Sequence, residues 1–490
     1  MKRCIPAIAL VGTLGMLIEI GCSGPGNGKV SITTTPATVA IFGGDAPFCG
    51  VISFSVTITG LTLMPQSGSS QVSILPSGAA ITVDFASLMD FATMLSRTSV
   101  PAGTYSALGI TLSNPQLTYL DTSTTPPTVK TIAPAVSGLT VNVNFSPAIT
   151  IASGASLALQ LDFDLLNSVT AGANNQFTLT PTFTAGPASA SGSGGFAQFD
   201  DLSGLVQSVS TSSTSPSYSG SFTISSPNLP TFTVYTNSST SFAGVSGLSG
   251  LTAGTFVEMS AVLDSSANIV ANTVVAEAQE NASSGEAAFT GLITSVTPET
   301  GNAAQVTLLV QQENPSVSSQ VPVLSLLTVN VVSSTTFGIA AQAADFAGFP
   351  FGPSNLAVGQ RVVVHGALPV SSGTAQSVTA RAIFLGLQSI LGNLSTSPTT
   401  PVTLASDGVD GGFTLVPCSP LFRSAPITVL ADQQTSYVGL SDLGSLNNPG
   451  AHFLLVKGVL FNEQATTTYG VESWTVPAEV QPATEVHQLP

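Results

Sequence analysis

The chain has 490 residues, and 7% of them are charged, against roughly 25% in ordinary soluble domains. Its 9 Lys+Arg and 25 Asp+Glu leave a net charge of −16, a balance that argues against polyanionic partners. A hydrophobic content of 43% excludes a disordered polar chain. Apart from the N-terminus, the apolar residues come in short runs, which favours β-strands with Ser, Thr, Asn and Gln on their polar faces over membrane-spanning helices. The length calls for several domains with their own cores.

Met1-Lys2-Arg3 is a basic start, Cys4 to Ile18 is an apolar run, and Glu19-Ile20-Gly21-Cys22 precedes Ser-Gly-Pro-Gly-Asn-Gly. This reads as an export signal. It resembles a bacterial lipoprotein signal, in which a small residue precedes the cysteine that takes the lipid, although Glu19 stands where that family has an apolar residue. The resemblance implies a signal peptide over 1–21, lipidation of Cys22 and a tether over 22–28. Ser23 is not the acidic residue that retains lipoproteins at the inner membrane. The outer membrane or cell surface is therefore the expected location, with the periplasm as the alternative. Cys4 leaves with the signal and Cys22 carries lipid, so Cys49 and Cys418 remain. They could pair in an oxidising compartment. Lying in different predicted domains, they read more simply as two isolated buried thiols.

The first folded unit is expected over 29–187. Val51 to Leu63 alternates, with Val51, Ser53, Ser55, Thr57 and Thr59 on one face and Ile52, Phe54, Val56 and Ile58 on the other, as in an antiparallel strand. Ala80–Phe85, Ser106–Leu112, Leu139–Phe145, Leu157–Leu165 and Phe177–Phe183 are further strands. Ala86 to Leu95 is the one predicted helix, with Leu88, Phe91 and Leu95 at helical spacing. Four segments, in this order, carry a resemblance: Gly44-Asp-Ala-Pro47, Val83-Asp-Phe85, Val100-Pro-Ala-Gly-Thr-Tyr105, and Leu161-Asp-Phe-Asp-Leu165 with Asn167-Ser-Val169. They look like a domain of unknown function common in bacterial surface lipoproteins. The resemblance implies a secreted, mostly β domain and no particular activity.

A Ser/Gly linker follows over 188–200. The remaining chain repeats itself. Gly204-Leu-Val-Gln-Ser-Val209 returns as Gly291-Leu-Ile-Thr-Ser-Val296, and Ser238-Ser-Thr-Ser-Phe242 as Ser333-Ser-Thr-Thr-Phe337 and Gln433-Gln-Thr-Ser-Tyr437. Leu251 to Leu263 returns as Leu356 to Leu368 and more faintly as Asn448 to Leu460, led each time by a turn glycine, Gly254, Gly359 or Gly450. Val270–Glu277, Val378–Phe384 and Val471–Val476 are the expected closing strands. Five strands per module suggest small closed barrels, which leave no exposed edges. The modules are placed at 201–282, 286–385 and 386–482, with a tail over 483–490. Modules one and two resemble a second bacterial family of unknown function with oligonucleotide/oligosaccharide-binding-type barrels, and module three is degenerate at its opening. The fold class is therefore all-β, a β-sandwich-like domain followed by three tandem barrels.

Little in the chain points to chemistry. No hydrolase elbow, zinc helix, phosphate-cradling loop or C-x-x-C pair occurs. His365 and His452 stand at different offsets from their turn glycines and read as solvent-facing or rim residues, and His487 falls in the tail. Asp162 and Asp164 share a strand face and could serve acid–base chemistry or bind calcium. The plainer reading is a polar strand edge opposite Leu161, Phe163 and Leu165. Asp407-Gly-Val-Asp-Gly-Gly412 could offer calcium oxygens but is sufficient as a turn. Trp474 and Tyr469 could form a sugar-stacking platform, but a single tryptophan in a closing strand reads more simply as core. No catalytic residue, metal site or cofactor is expected.

The expected function is that of an exported, lipid-anchored, non-enzymatic envelope protein acting as a spacer or as a binding module for glycans or envelope partners. The alternatives are a periplasmic hydrolase using Asp162 and Asp164, and a calcium-stabilised adhesin. Membrane contact through lipid on Cys22 is expected, and nucleic acid is not. Over Gly204 to Phe384 the only basic residues are Arg361 and Arg381, against eight acidic ones including Glu258, Asp264 and Glu313.

Overall fold

The computed structural model describes most of residues 35–489; residues 1–34 and short stretches, the longest being 189–196, 278–285 and 368–376, lie outside the described residues. The predicted lipidation site Cys22 and its tether are among these.

The N-terminal domain runs through β1 (Ala37–Ala46), β2 (Ser53–Pro65), β3 (Val72–Ser73), β4 (Ile81–Asp84), β5 (Thr93–Val100), β6 (Gly103–Asp121), β7 (Thr128–Ile132), β8 (Ala135–Val136), β9 (Thr140–Ile151) and β10 (Ser156–Asp164). A single helical turn, α1 (Leu165–Ser168), then leads to β11 (Val169–Ala171), β12 (Phe177–Leu179) and β13 (Phe183–Pro187). One sheet has the order β13-β10-β1-β5, and another is built on β2 and β6. Ile41 and Leu161 from the first share one buried cluster with Phe54, Val56 and Leu108 from the second. Phe163 stacks on Phe54 and Phe85, with centroids 5.2 and 5.0 Å apart. This is the expected sandwich-like arrangement, two sheets closing one core.

The predicted helix over 86–95 is not there. Phe85–Leu88 is a 3₁₀ turn and Thr93–Val100 is a strand antiparallel to β1. Both faces of the first half of that strand are covered. Leu95 joins the core of its own domain, while Met94 joins the core beneath the first barrel. A strand buried on both faces loses the alternation by which strands are read. The same effect blunts β2, where Ser53 and Ser55 are buried alongside Phe54 and Val56.

Module one comprises β14 (Ala197–Ser210), β15 (Gly220–Ser226), β16 (Leu229–Thr236), β17 (Ser241–Ala243), β18 (Phe256–Leu263) and β19 (Ile269–Glu277). Module two comprises β20 (Glu286–Pro298), β21 (Ala304–Asn314), β22 (Leu326–Val331), β23 (Thr336–Ile339), β24 (Arg361–Ala367) and β25 (Ser377–Leu385). Both close as five-stranded barrels in the order 1-2-3-5-4, with strands three and five parallel and one short strand, β17 or β23, beside strand five. Module three keeps this order with β26 (Gln388–Leu394), β27 (Val402–Leu404), β28 (Gly411–Pro417), β29 (Ile427–Ala431), β30 (Ser436–Val438), β31 (Phe453–Gly458), β32 (Phe461–Asn462), β33 (Thr466–Tyr469), β34 (Glu472–Thr475) and β35 (Glu479–Leu489). Its closing strand is β35. Residues 472–475 instead form a hairpin with β33, and the expected tail is strand.

The repeated motifs now have physical reasons. Thr240, Thr335 and Thr435 each donate a side-chain hydroxyl bond to a strand-five carbonyl, of Ala271, Ala380 and Ala483, at 2.7, 2.8 and 2.9 Å. Each hydroxyl also accepts a backbone N–H, from Asn237, Val332 and Asp432. One side chain thus closes the turn and ties it to the barrel. On strand one, a Cβ at Gly204, Gly291 or Gly392 would meet the carbonyl oxygen of Ser225, Leu309 or Val416 at 2.6, 2.1 or 2.4 Å. Only glycine lets the strands coil that tightly.

The domains pack on one another. Ala40, Phe42 and Met94 join the core of module one, and Leu430, Val459 and Phe461 join that of module two. Polar bonds cross the same seams: Arg97 Nε donates to the Ala267 carbonyl, Gln312 to Ser203, and Asn355 to the Asn462 carbonyl.

Candidate functional site

The N-terminal domain, module two and module three meet around one cavity of about 80 Å³. Val51 and Ile52, just ahead of β2, and Ala86 and Ser87 of the 3₁₀ turn form one wall. Leu292, Gln311 and Arg361 of module two form a second, and Ser389, Cys418 and Phe422 of module three a third. Cys49 and Cys418 form a disulfide at this junction, with Cα atoms 5.3 Å apart. This replaces the reading of two isolated thiols: the fold brings together residues separated by 369 positions, which no local pattern records.

Asp84 holds the N-terminal side. Its carboxylate accepts from Ser53 Oγ and the Phe54 N–H, each at 2.8 Å, and from Gln311 Nε2 of module two at 3.2 Å. Burial pushes its pKa up, opposed by these hydrogen bonds. With its amide donor committed to Asp84, Gln311 leaves its Oε1 buried without a hydrogen-bond partner, as is Ser389 Oγ. On the other side, Gln388 bridges module two to module three. Its Oε1 accepts from the Arg361 N–H at 2.7 Å and its Nε2 donates to the Gly359 carbonyl at 2.9 Å. The junction is a mixed apolar and amide-lined seam.

The residues singled out from the sequence are scattered. Asp162 and Asp164 do not line this cavity. Asp164 caps α1, accepting from the Asn167 N–H at 3.0 Å and from Asn167 Nδ2 at 2.6 Å. Asp162 has its pKa raised, by burial first and by the Asp164 charge second. Leu161, Phe163 and Leu165 point inward as expected. His365 is not a rim residue. It is buried at 5% exposure, edge-on to Phe384 with ring centroids 5.4 Å apart, because strand four of module two packs on both faces. His452 is half-buried between Gln488 Oε1 and the Asn448 carbonyl, and His487 lies in β35 rather than in a tail. Asp410 is fully buried and Asp407 lies outside the described residues. No cluster of metal-ligating side chains occurs among the described residues. Trp474 and Tyr469 sit in the β33–β34 hairpin, not in the closing strand.

Asp84 and Gln311 are not legible as a pair in the sequence, because 227 positions separate them; the local signal is an acidic residue ending a strand. The glycine turns were legible. Gly254 and Gly359 have φ of 87° and 92°, as a chain reversal requires.

Residues 36–181 match the model of a domain of unknown function, DUF4382, and residues 203–274 that of another, DUF5666. No curated protein matches the chain. Among solved structures, a deletion mutant of the single-stranded DNA binding protein from Thermus aquaticus is similar at 15% identity and a TM-score of 0.15, over 42% of this chain and 94% of that one. The Drosophila Unr CSD456 structure is similar at 10% identity and a TM-score of 0.13, over 59% and 97%. The exclusion of nucleic acid drawn from charge is thereby corrected. A protein similar to this one is a single-stranded DNA binder by name, and net charge describes a surface rather than the fold beneath it. At these TM-scores the likeness carries no argument for a ligand of this chain. Two matched domains of unknown function, each covering less than half of the sequence, are what this chain resembles.

Proposed function

We propose that this chain is an exported envelope protein, anchored by lipid on Cys22, that acts without catalysis as a rigid binding body for glycans or envelope partners. The observation that carries the reading is the Cys49–Cys418 disulfide. Such bonds persist in oxidising compartments and are rare in the cytosol, which supports export. Packing narrows the rest. Domains that share cores and exchange hydrogen bonds across several seams suit a fixed binding surface better than an extensible spacer, whose modules would be joined by linkers alone.

Two measurements on cells making the full chain test this. Thiol trapping without reductant should leave Cys49 and Cys418 unlabelled, and a palmitate analogue should label the wild type but not Cys22→Ala. Free thiols in the accumulated protein, or equal labelling of both chains, would overturn the proposal.

A further inference from the structure

The outer face of strands one to three in module one is a neutral surface with a tyrosine pair at one end. Ser208, Thr223 and Thr233 lie side by side across the three strands, as do Ser210, Ser221 and Tyr235. None of them is charged. Tyr218, in the loop between strands one and two, packs against Tyr235 with ring centroids 4.5 Å apart and planes tilted by 35°. Both rings are half-buried, so part of each remains open to solvent.

The pair is held from beneath. The Tyr218 hydroxyl donates to Asp264 Oδ2 and accepts from Asn268 Nδ2 at 3.0 Å, both in the loop between strands four and five. Asp264 Oδ1 accepts from the Ser266 and Asn268 N–H groups at 2.8 and 2.9 Å. Arg97 of the N-terminal domain donates to Asn268 Oδ1 at 2.6 Å and to the Ala267 carbonyl at 2.9 Å. The nearby charges are thus engaged in fixing the rings, which loses little further entropy when a ligand settles on them.

The sister barrels do not repeat this. The position five before the bridging threonine, Tyr235 in module one, is Asn330 in module two. In module three it is Leu430, fully buried in the core shared with module two. At this position an aromatic residue occurs in module one alone.

We propose that Tyr218 and Tyr235, with the Ser/Thr face of β14, β15 and β16, form a binding site for a neutral glycan. A flat sugar ring with its C–H face on the tyrosines would gain the apolar contact that aromatic rings offer. Its hydroxyls would exchange hydrogen bonds with Ser208, Ser221, Thr223 and Thr233. This assignment rests on the glycan reading above, and it can fail while export and the disulfide stand.

The test uses tag-free protein with its disulfide intact and two flat neutral probes, cellohexaose and chitohexaose, titrated by calorimetry. At least one should bind, with affinity little changed by salt. Tyr235→Ala should weaken that binding about tenfold or more, and Tyr218→Phe, which keeps the ring, by less than threefold. Melting temperatures within a few degrees of wild type would show that the variants remain folded. Absence of binding by both probes at about millimolar concentration, or equal binding by Tyr235→Ala, would overturn the site. The thiol-trapping and labelling results are unaffected by either outcome.

Discussion

Cys49 and Cys418 join the first β-domain to the last barrel across 369 residues of chain. A covalent link over so long a loop restricts the unfolded chain strongly, and it also fixes the wall of the junction cavity to which Cys418 belongs. Replacing both cysteines by serine should lower the unfolding free energy by about 3–5 kcal/mol. Urea titrations of the oxidised wild type and the double variant measure it. Equal midpoints would mean that the bond only decorates a seam already held by packing.

Thr335 makes the same two hydrogen bonds in module two that Thr240 and Thr435 make in their modules. Thr335→Val keeps the shape and removes both, leaving the Val332 N–H and the Ala380 carbonyl short of a partner. The expected loss is about 1–3 kcal/mol, with similar losses for Thr240→Val and Thr435→Val. Denaturant midpoints of the three variants would show whether the repeat is retained for this bridge.

Asp84 has its pKa raised, chiefly by burial. The folded state therefore binds a proton more readily than the unfolded chain. The stabilisation from this group is fully present below the unfolded value of 3.8 and is lost as pH rises through the folded pKa. Asp84→Asn should remove that dependence. The difference in unfolding free energy between wild type and variant, followed from pH 4 upward, should shift steadily against the wild type and then level off. A pH-independent difference would contradict it.

Gly359 sits at φ 92°, and a Cβ there would come within 2.4 Å of the Phe422 ring of module three. Gly359→Ala combines left-handed strain with a clash at the seam and should cost about 2 kcal/mol or more. Phe422→Leu should recover part of that loss in the double variant, since the two residues are neighbours. Strict additivity in a double-mutant cycle would show that backbone strain accounts for the whole effect.

Much of the fold was legible because local rules agree with one another. Alternation placed most strands, and the recurrence of Gly254 in Gly359 and of Thr240 in Thr335 and Thr435 exposed the module. The misreadings fall where a strand is covered twice. Met94 and Leu95 are both apolar because they face two different cores, and that pattern resembles a helix. The end of module three was misplaced for another reason: the Thr466–Thr475 hairpin is inserted ahead of the closing strand, and strand propensity alone cannot rank two adjacent strands.

The sequence by itself determined the all-β class, the sandwich-like domain and the repeated modules, because period-two patterning, turn glycines and bridging threonines act over a few residues. Only the tertiary structure decided which distant groups meet. The Cys49–Cys418 bond, the Asp84–Gln311 contact and the pairing of Tyr218 with Tyr235 depend on how sheets close and domains dock. Those arrangements follow from the sum of many weak apolar contacts, which no short stretch of sequence contains.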